Sequence, residues 1–159
     1  MNQTSQTPKP APAPAPPVPR LVDDKYGTVE QIRALKPAAL VAVLNDSQAS
    51  VYAKAKACQR LAVTGDAGAV PALKALLLNP HLSHYARTAL EPNPAPEAAT
   101  ALRDVLGQLK GVQLIGVINS IGVRRDRLAI EPLVALMADA DVEVVKAATA
   151  ALARVRPPL

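Results

Sequence analysis

The stretch Ala69-Val70-Pro71-Ala72-Leu73-Lys74-Ala75-Leu76-Leu77 decides the fold. A proline early, then apolar residues at i, i+3 and i+4, describes one stripe of a helix whose first turn tolerates the missing N–H. The stripe recurs. Leu40-x-x-Val43-Leu44, Leu73-x-x-Leu76-Leu77, Leu102-x-x-Val105-Leu106 and Leu133-x-x-Leu136-Met137 are spaced by 33, 29 and 31 residues. A second frame lies between them, a small residue or Val followed four positions on by a larger apolar one. It reads Ala57 to Leu61, Ala86 to Leu90, Val117 to Ile121 and Ala148 to Leu152, spaced by 29, 31 and 31. Two interleaved frames with one period of about 30 residues predict a repeated two-helix unit. Four such units fill residues 37–155.

The punctuation agrees. Thr28-Val29-Glu30-Gln31 has the spacing of a capping box for a short leading helix. Pro37, Pro71 and Pro132 fall at starts of first-frame helices, and Asp141 is placed to cap the last helix before Pro157-Pro158 stops it. Expected helices are 28–35, 37–45, 49–63, 68–78, 81–91, 96–109, 112–123, 127–138 and 142–155. A pair this small cannot bury its own stripe, so the pairs are expected to stack into an all-α solenoid over residues 21–159. Gly111, Gly116 and Gly122 crowd one second-frame helix. Their density marks the third pair as the tightest crossing or the one that kinks.

Composition fits that reading. Hydrophobic residues make up 50% of the chain and aromatics only 2%, so the apolar mass is Ala, Leu and Val. Base stacking on aromatic platforms is excluded as the main mode of binding, and an all-β fold is disfavoured. One cysteine excludes a disulfide framework or a Cys-cluster zinc site. The net charge is +5; without Lys9 and Arg20 it is +3 for residues 21–159, a small surplus that argues against nucleic acid. Residues 1–20 form a separate regime, a Pro/Ala-rich tail expected to be a disordered, semi-rigid spacer. No basic start followed by an apolar run precedes it, which makes a cytoplasmic location the expectation, or export if the start is a processed end. No apolar run reaches membrane-spanning length.

A unit of about 30 residues with Pro-x-Leu early in its first helix and an Ala-rich second helix resembles HEAT repeats, in particular the short bacterial type called PBS-lyase HEAT-like repeats. The quoted stretch and Ile130-Glu131-Pro132-Leu133-Val134-Ala135-Leu136-Met137 carry the likeness most clearly, within residues 37–155. Leu82-Ser83-His84-Tyr85-Ala86-Arg87-Thr88-Ala89-Leu90-Glu91-Pro92 is similar to a recurring bacterial version found inside larger proteins, as is residues 115–126. The resemblance implies an armadillo-type superhelix that mostly binds proteins, and in a minority bilin-lyase work or DNA contact. The chain departs from it at the Pro-rich residues 91–96, where the family has a short turn.

Proteins of this kind resemble one another in presenting second helices on a concave side. Stacking the second frame gives a row of Gln59, Thr88, Asn119 and Ala150, beside a row of Cys58, Arg87, Ile118 and Thr149. The first row reads either as a ladder for a partner's backbone or as polar groups satisfied internally. His84, Arg87 and Glu91 form one helical stripe able to bind an anion, or an ordinary solvated face. Arg124 and Arg125, with Asp126 and Arg127, read as complements to a helix C-terminus and a cap for the next helix, or as a site for an acidic peptide or phosphate. His81-x-x-His84 offers two metal ligands without a third, so neither metal nor cofactor is expected. No catalytic constellation stands out. The expectation is a non-enzymatic scaffold for a protein partner or a covalently linked domain. The alternatives are phosphate or nucleic-acid binding through arginines, or a bilin-lyase-like enzyme or subunit. The last helix, with few charges, is expected to be an uncapped end available for self-association.

Overall fold

The computed structural model describes residues 22–156, so the expected tail at 1–20 and the Pro157-Pro158 stop lie outside the described residues. Among the described residues the chain is all-helical, with nine α-helices and no strand. They are α1 Val29–Arg33, α2 Pro37–Asn45, α3 Val51–Thr64, α4 Val70–Leu76, α5 Ser83–Leu90, α6 Pro96–Asp104, α7 Gly111–Arg124, α8 Ile130–Ala135 and α9 Val142–Val155. None is long and apolar enough to cross a membrane.

The caps follow from the residues. In α1, Thr28 Oγ1 accepts from Gln31 N at 3.4 Å while Gln31 Oε1 accepts from Thr28 N at 2.8 Å, the reciprocal box expected from the spacing. Ser50, which the apolar pattern had placed inside a helix, is the cap of α3 and accepts from Ala53 N at 3.1 Å. Three first-frame helices are shorter than expected, because 3-10 turns replace part of them: Ala67–Ala69 before α4, Leu106–Gln108 after α6, and Arg127–Ala129 and Leu136–Ala138 on either side of α8. After α6, Gly107 favours leaving the helix, and Gln108 Nε2 donates to Asp104 O at 2.8 Å in place of an intrahelical donor.

Packing runs in two directions. Within pairs, α2 lies on α3, α4 on α5, α6 on α7 and α8 on α9. Between pairs, α3 packs on α5, α5 on α7 and α7 on α9, with α1 on α3 at the start of that series; α2 packs on α4 and α4 on α6. The leading leucines Leu40, Leu73, Leu102 and Leu133 are all fully buried. Burial of each contributes about 2 kcal/mol. Every second-frame residue is buried as well, from Ala57 to Leu152. Small side chains permit the close approach: a Cβ at Gly122 would sit 3.1 Å from both Cα and Cβ of Ala151, so α7 meets α9 nearly backbone to backbone.

The structure corrects the expectation of an uncapped last helix. The apolar residues Val144, Ala147, Ala148, Ala151, Leu152 and Val155 of α9 face α7 and α8, and Glu143, Lys146, Thr149 and Arg154 face out. The helix looked apolar all round because its inward face is rich in alanine. Val142 is its one exposed large apolar residue.

A tight turn before α1 fastens the chain to α3. Asp23 accepts from Lys25 N, Tyr26 N, Ser50 N and Ser50 Oγ at 2.5–3.0 Å. Burial alone would push its carboxyl up, but these hydrogen bonds outweigh it and hold the group down at about 2. A depressed folded-state value stabilises above the unfolded value of about 4 and loses that contribution as pH falls through about 2. Urea midpoints of wild type and Asp23→Asn are therefore expected to differ at neutral pH and to converge between about pH 4 and pH 2. A constant difference across that window would show that Asp23 is not the acid-sensitive clasp.

Candidate functional site

The series α3, α5, α7 and α9 positions the second-frame row on one side of the molecule. Gln59, Asn119 and Ala150 are exposed and Thr88 is half-buried. Gln59 Oε1 accepts from Lys56 Nζ at 3.4 Å, and Asn119 makes no side-chain hydrogen bond among the described residues. Thr88 Oγ1 turns back onto its own helix, 3.0 Å from the carbonyls of His84 and Tyr85. One turn beyond the row, Val63 and Val123 stand exposed, so on α3 and α7 each amide is followed along the helix by an apolar side chain. The neighbouring row turns inward at Cys58 and Ile118, both fully buried. Burial pushes the Cys58 thiol up to about 12, which keeps it protonated and unreactive at neutral pH.

The stripe of His84, Arg87 and Glu91 does come together, and it recruits a residue the sequence reading missed. Arg87 Nη1 lies 3.3 Å from both Glu91 Oε1 and Ser120 Oγ, and Ser120 Oγ donates to Glu91 Oε1 at 2.5 Å. Arg87 Nη2 donates to His84 Nδ1 at 3.0 Å, which leaves the imidazole proton on the outer nitrogen, Nε2. Ser120 is fully buried on α7, so the network joins α5 to α7. Gly116 makes it possible: a Cβ there would lie 2.7 Å from Arg87 Nε. A glycine four residues before a serine in an otherwise apolar helix was the available signal. The cluster is an interhelical lock. His84 is its most exposed member, Arg87 and Glu91 are half-buried, and Ser120 is buried.

Arg124 and Arg125 part company. Arg125 is exposed and takes the left-handed conformation (φ 53°) that ends α7. Arg124 is expected from sequence to complement its own helix; it serves α5 instead. Its Nη1 donates to the carbonyls of Leu90, Glu91 and Asn93 at 2.6–2.9 Å, and Nη2 reaches Ala95 O at 3.4 Å. Desolvation lowers its pKa, and Asp126 nearby partly offsets that. The Pro-rich residues 91–96 thus fold around a guanidinium, because prolines leave carbonyls without neighbouring N–H partners. Asn93, buried at the centre, completes the loop by donating to Asp66 O at 2.9 Å and accepting from Ala95 N at 3.0 Å. Asp126 caps the following turn, accepting from Leu128 N at 3.1 Å, and pairs with Arg103.

No family model matches this chain, and no curated protein matches it either.

Concavities lie away from these residues. One of about 440 Å³ runs between α4 and α6, lined by Val70, Pro71, Lys74, Pro96, Glu97 and Thr100. Another of about 540 Å³ opens beside the start of α7, between Leu109, Lys110, Leu114, Asp139, Asp141 and Val144. Neither includes a residue of the ladder or of the His84 cluster. Among the described residues no three His, Cys, Asp or Glu side chains gather where they could hold a common ion.

Proposed function

We propose that the chain is a HEAT-type α-solenoid of four stacked helix pairs, and that it works by binding another protein or a linked domain across the outward face of α3, α5, α7 and α9. The observation that carries this reading is the exposed amide row of Gln59 and Asn119, bordered by Val63 and Val123. Neighbouring helices sit about 9 Å apart, so Gln59 on α3 and Asn119 on α7, with α5 between them, are separated by about the rise of six extended residues, and a peptide crossing the face can meet both amides. The serial packing of second helices supports the solenoid.

Binding is favoured over catalysis because Ser120 is buried on Glu91, and Arg87 holds the nearby imidazole. Phosphate or nucleic-acid binding has less support, since Arg87 and Arg124 spend their donors inside the protein. The face offers no Trp or Phe, and Tyr85 packs edge-on against His84, so affinity is expected to be modest.

The test compares partners captured by wild type, by Gln59→Ala/Asn119→Ala, and by Glu97→Ala/Thr100→Ala on the other helix layer. Loss of a specific partner only with the first pair is the expected result. A partner retained by both pairs, with melting temperatures unchanged, would sink the proposed face.

A further inference from the structure

The outward chemistry of the second helices changes at α9. On α3 and α7 the exposed amides Gln59 and Asn119 are each followed one turn on by an exposed valine, Val63 and Val123. The matching positions of α9 are Ala150 and Arg154, both exposed. Arg154 has company. α7 and α9 run parallel: Leu114 and Val144 line one concavity near their starts, and near their ends a Cβ at Gly122 would sit 3.1 Å from Ala151 and 3.6 Å from Arg154 Cδ. Their C-terminal turns therefore emerge side by side. Arg125 ends α7, its N donating to Gly122 O at 3.1 Å, and Arg156 ends α9, its N donating to Leu152 O at 3.0 Å. All three arginines are exposed, and among the described residues none of them pairs with a carboxylate. Asp126, next in the chain, is engaged by Arg103 and by Leu128 N. Two helix C-termini carry together about one unit of negative partial charge. Three guanidiniums exceed that by about two, so complementing the helix dipoles does not account for them.

We propose that Arg125, Arg154 and Arg156 form a docking edge for an acidic protein segment that lies across α3, α5, α7 and α9. The inference rests on the reading of that face as a partner surface and adds the partner's chemistry. Helices about 9 Å apart place Arg154 about three extended residues beyond the point where the segment meets Asn119. Carboxylates there reach Arg154 first, with Arg125 and Arg156 at the adjoining helix ends. Guanidinium suits them, because its planar fork donates two parallel hydrogen bonds to one carboxylate. A protein segment is favoured over nucleic acid on two grounds. The arginines adjoin amides able to bond a peptide backbone, and a surplus of +3 over residues 21–159 is small for neutralising a run of phosphates.

Fluorescence anisotropy on the full 159-residue chain tests this with three labelled probes: a peptide of alternating glutamate and alanine, its glutamine-for-glutamate counterpart, and a single-stranded DNA oligonucleotide. The glutamate peptide is expected to bind about tenfold or more tighter than the glutamine peptide, with affinity falling as salt rises. Arg125→Gln/Arg154→Gln should weaken it about tenfold with an unchanged melting curve, since both side chains are exposed, and Arg125→Glu/Arg154→Glu should abolish binding. Gln59→Ala/Asn119→Ala should weaken the glutamate peptide too, because amides read its backbone. Loss with the arginine pair but none with the amide pair would overturn the amide row as the partner face and leave the acidic class with the arginine edge. A glutamate peptide that fails to bind, one indifferent to Arg125→Gln/Arg154→Gln, or a glutamine peptide or DNA bound as tightly would each overturn the acidic partner.

Discussion

Arg124→Ala is expected to cost about 3 kcal/mol or more of unfolding free energy, the most severe effect of any exposed-to-half-buried side chain here. A single guanidinium serves the carbonyls of Leu90, Glu91 and Asn93 and reaches that of Ala95. Truncation leaves these acceptors partly buried beside prolines that offer no donors. The end of α5 also loses the positive charge set against its C-terminal dipole. Arg124→Lys keeps the charge but loses the planar fork, so about half of the loss is expected. Urea unfolding measures the size of the effect, and hydrogen exchange places it. Protection should fall first at the C-terminal turn of α5 and at residues 91–96, and only later in α2 and α3. A change smaller than about 0.5 kcal/mol for Arg124→Ala would show that water replaces the guanidinium without penalty.

Gly122→Leu is expected to destabilise by about 3 kcal/mol through overpacking. The nearest atoms to a side chain at this position are the Cα and Cβ of Ala151, each 3.1 Å from the first added carbon. Backbone cannot rotate away as a flexible side chain can, so α9 has to separate from α7. Gly122→Ala sets the scale of the effect. It demands a shift of only a few tenths of an ångström and gains about 1 kcal/mol of helix propensity, so it should lie near neutral. Chemical denaturation of the pair distinguishes a steric boundary from a simple propensity effect. If Gly122→Leu proved as stable as Gly122→Ala, the close contact of α7 with α9 would not exist in solution.

The legible part of the fold was its periodic part. Fixed spacing placed Leu40, Leu73, Leu102 and Leu133 in the core, and all four are fully buried. The capping box at Thr28 and the cap at Asp141 were readable because a cap acts within three residues of itself. Ser50 was misread, since one polar residue beside Ala49 and Val51 does not break an apolar pattern. The His84, Arg87 and Glu91 stripe was readable as a stripe, and its meaning was not. Whether those side chains meet solvent or lock two helices together depends on Ser120 and Gly116, which are far off in sequence. Asp23 likewise gave no local signal, because two of the four hydrogen bonds its carboxylate accepts come from Ser50, at the start of α3 and far off in sequence.

The chain's half-apolar, nearly aromatic-free composition and its period of about 30 residues determined by themselves that small-residue helices recur in pairs. That information is local, written every three or four residues, and any helix formed from it must bury the same stripe. Only the tertiary structure decided what each arginine does and where apolar side chains stay exposed. Arg124 turns away from its own helix toward the Pro-rich loop, and the exposed apolar surface lies on α8 while α9 closes on itself. Those outcomes follow from which helix lies beside which. Neighbouring helices are set by long-range packing, and a residue's own spacing carries no record of what packs against it.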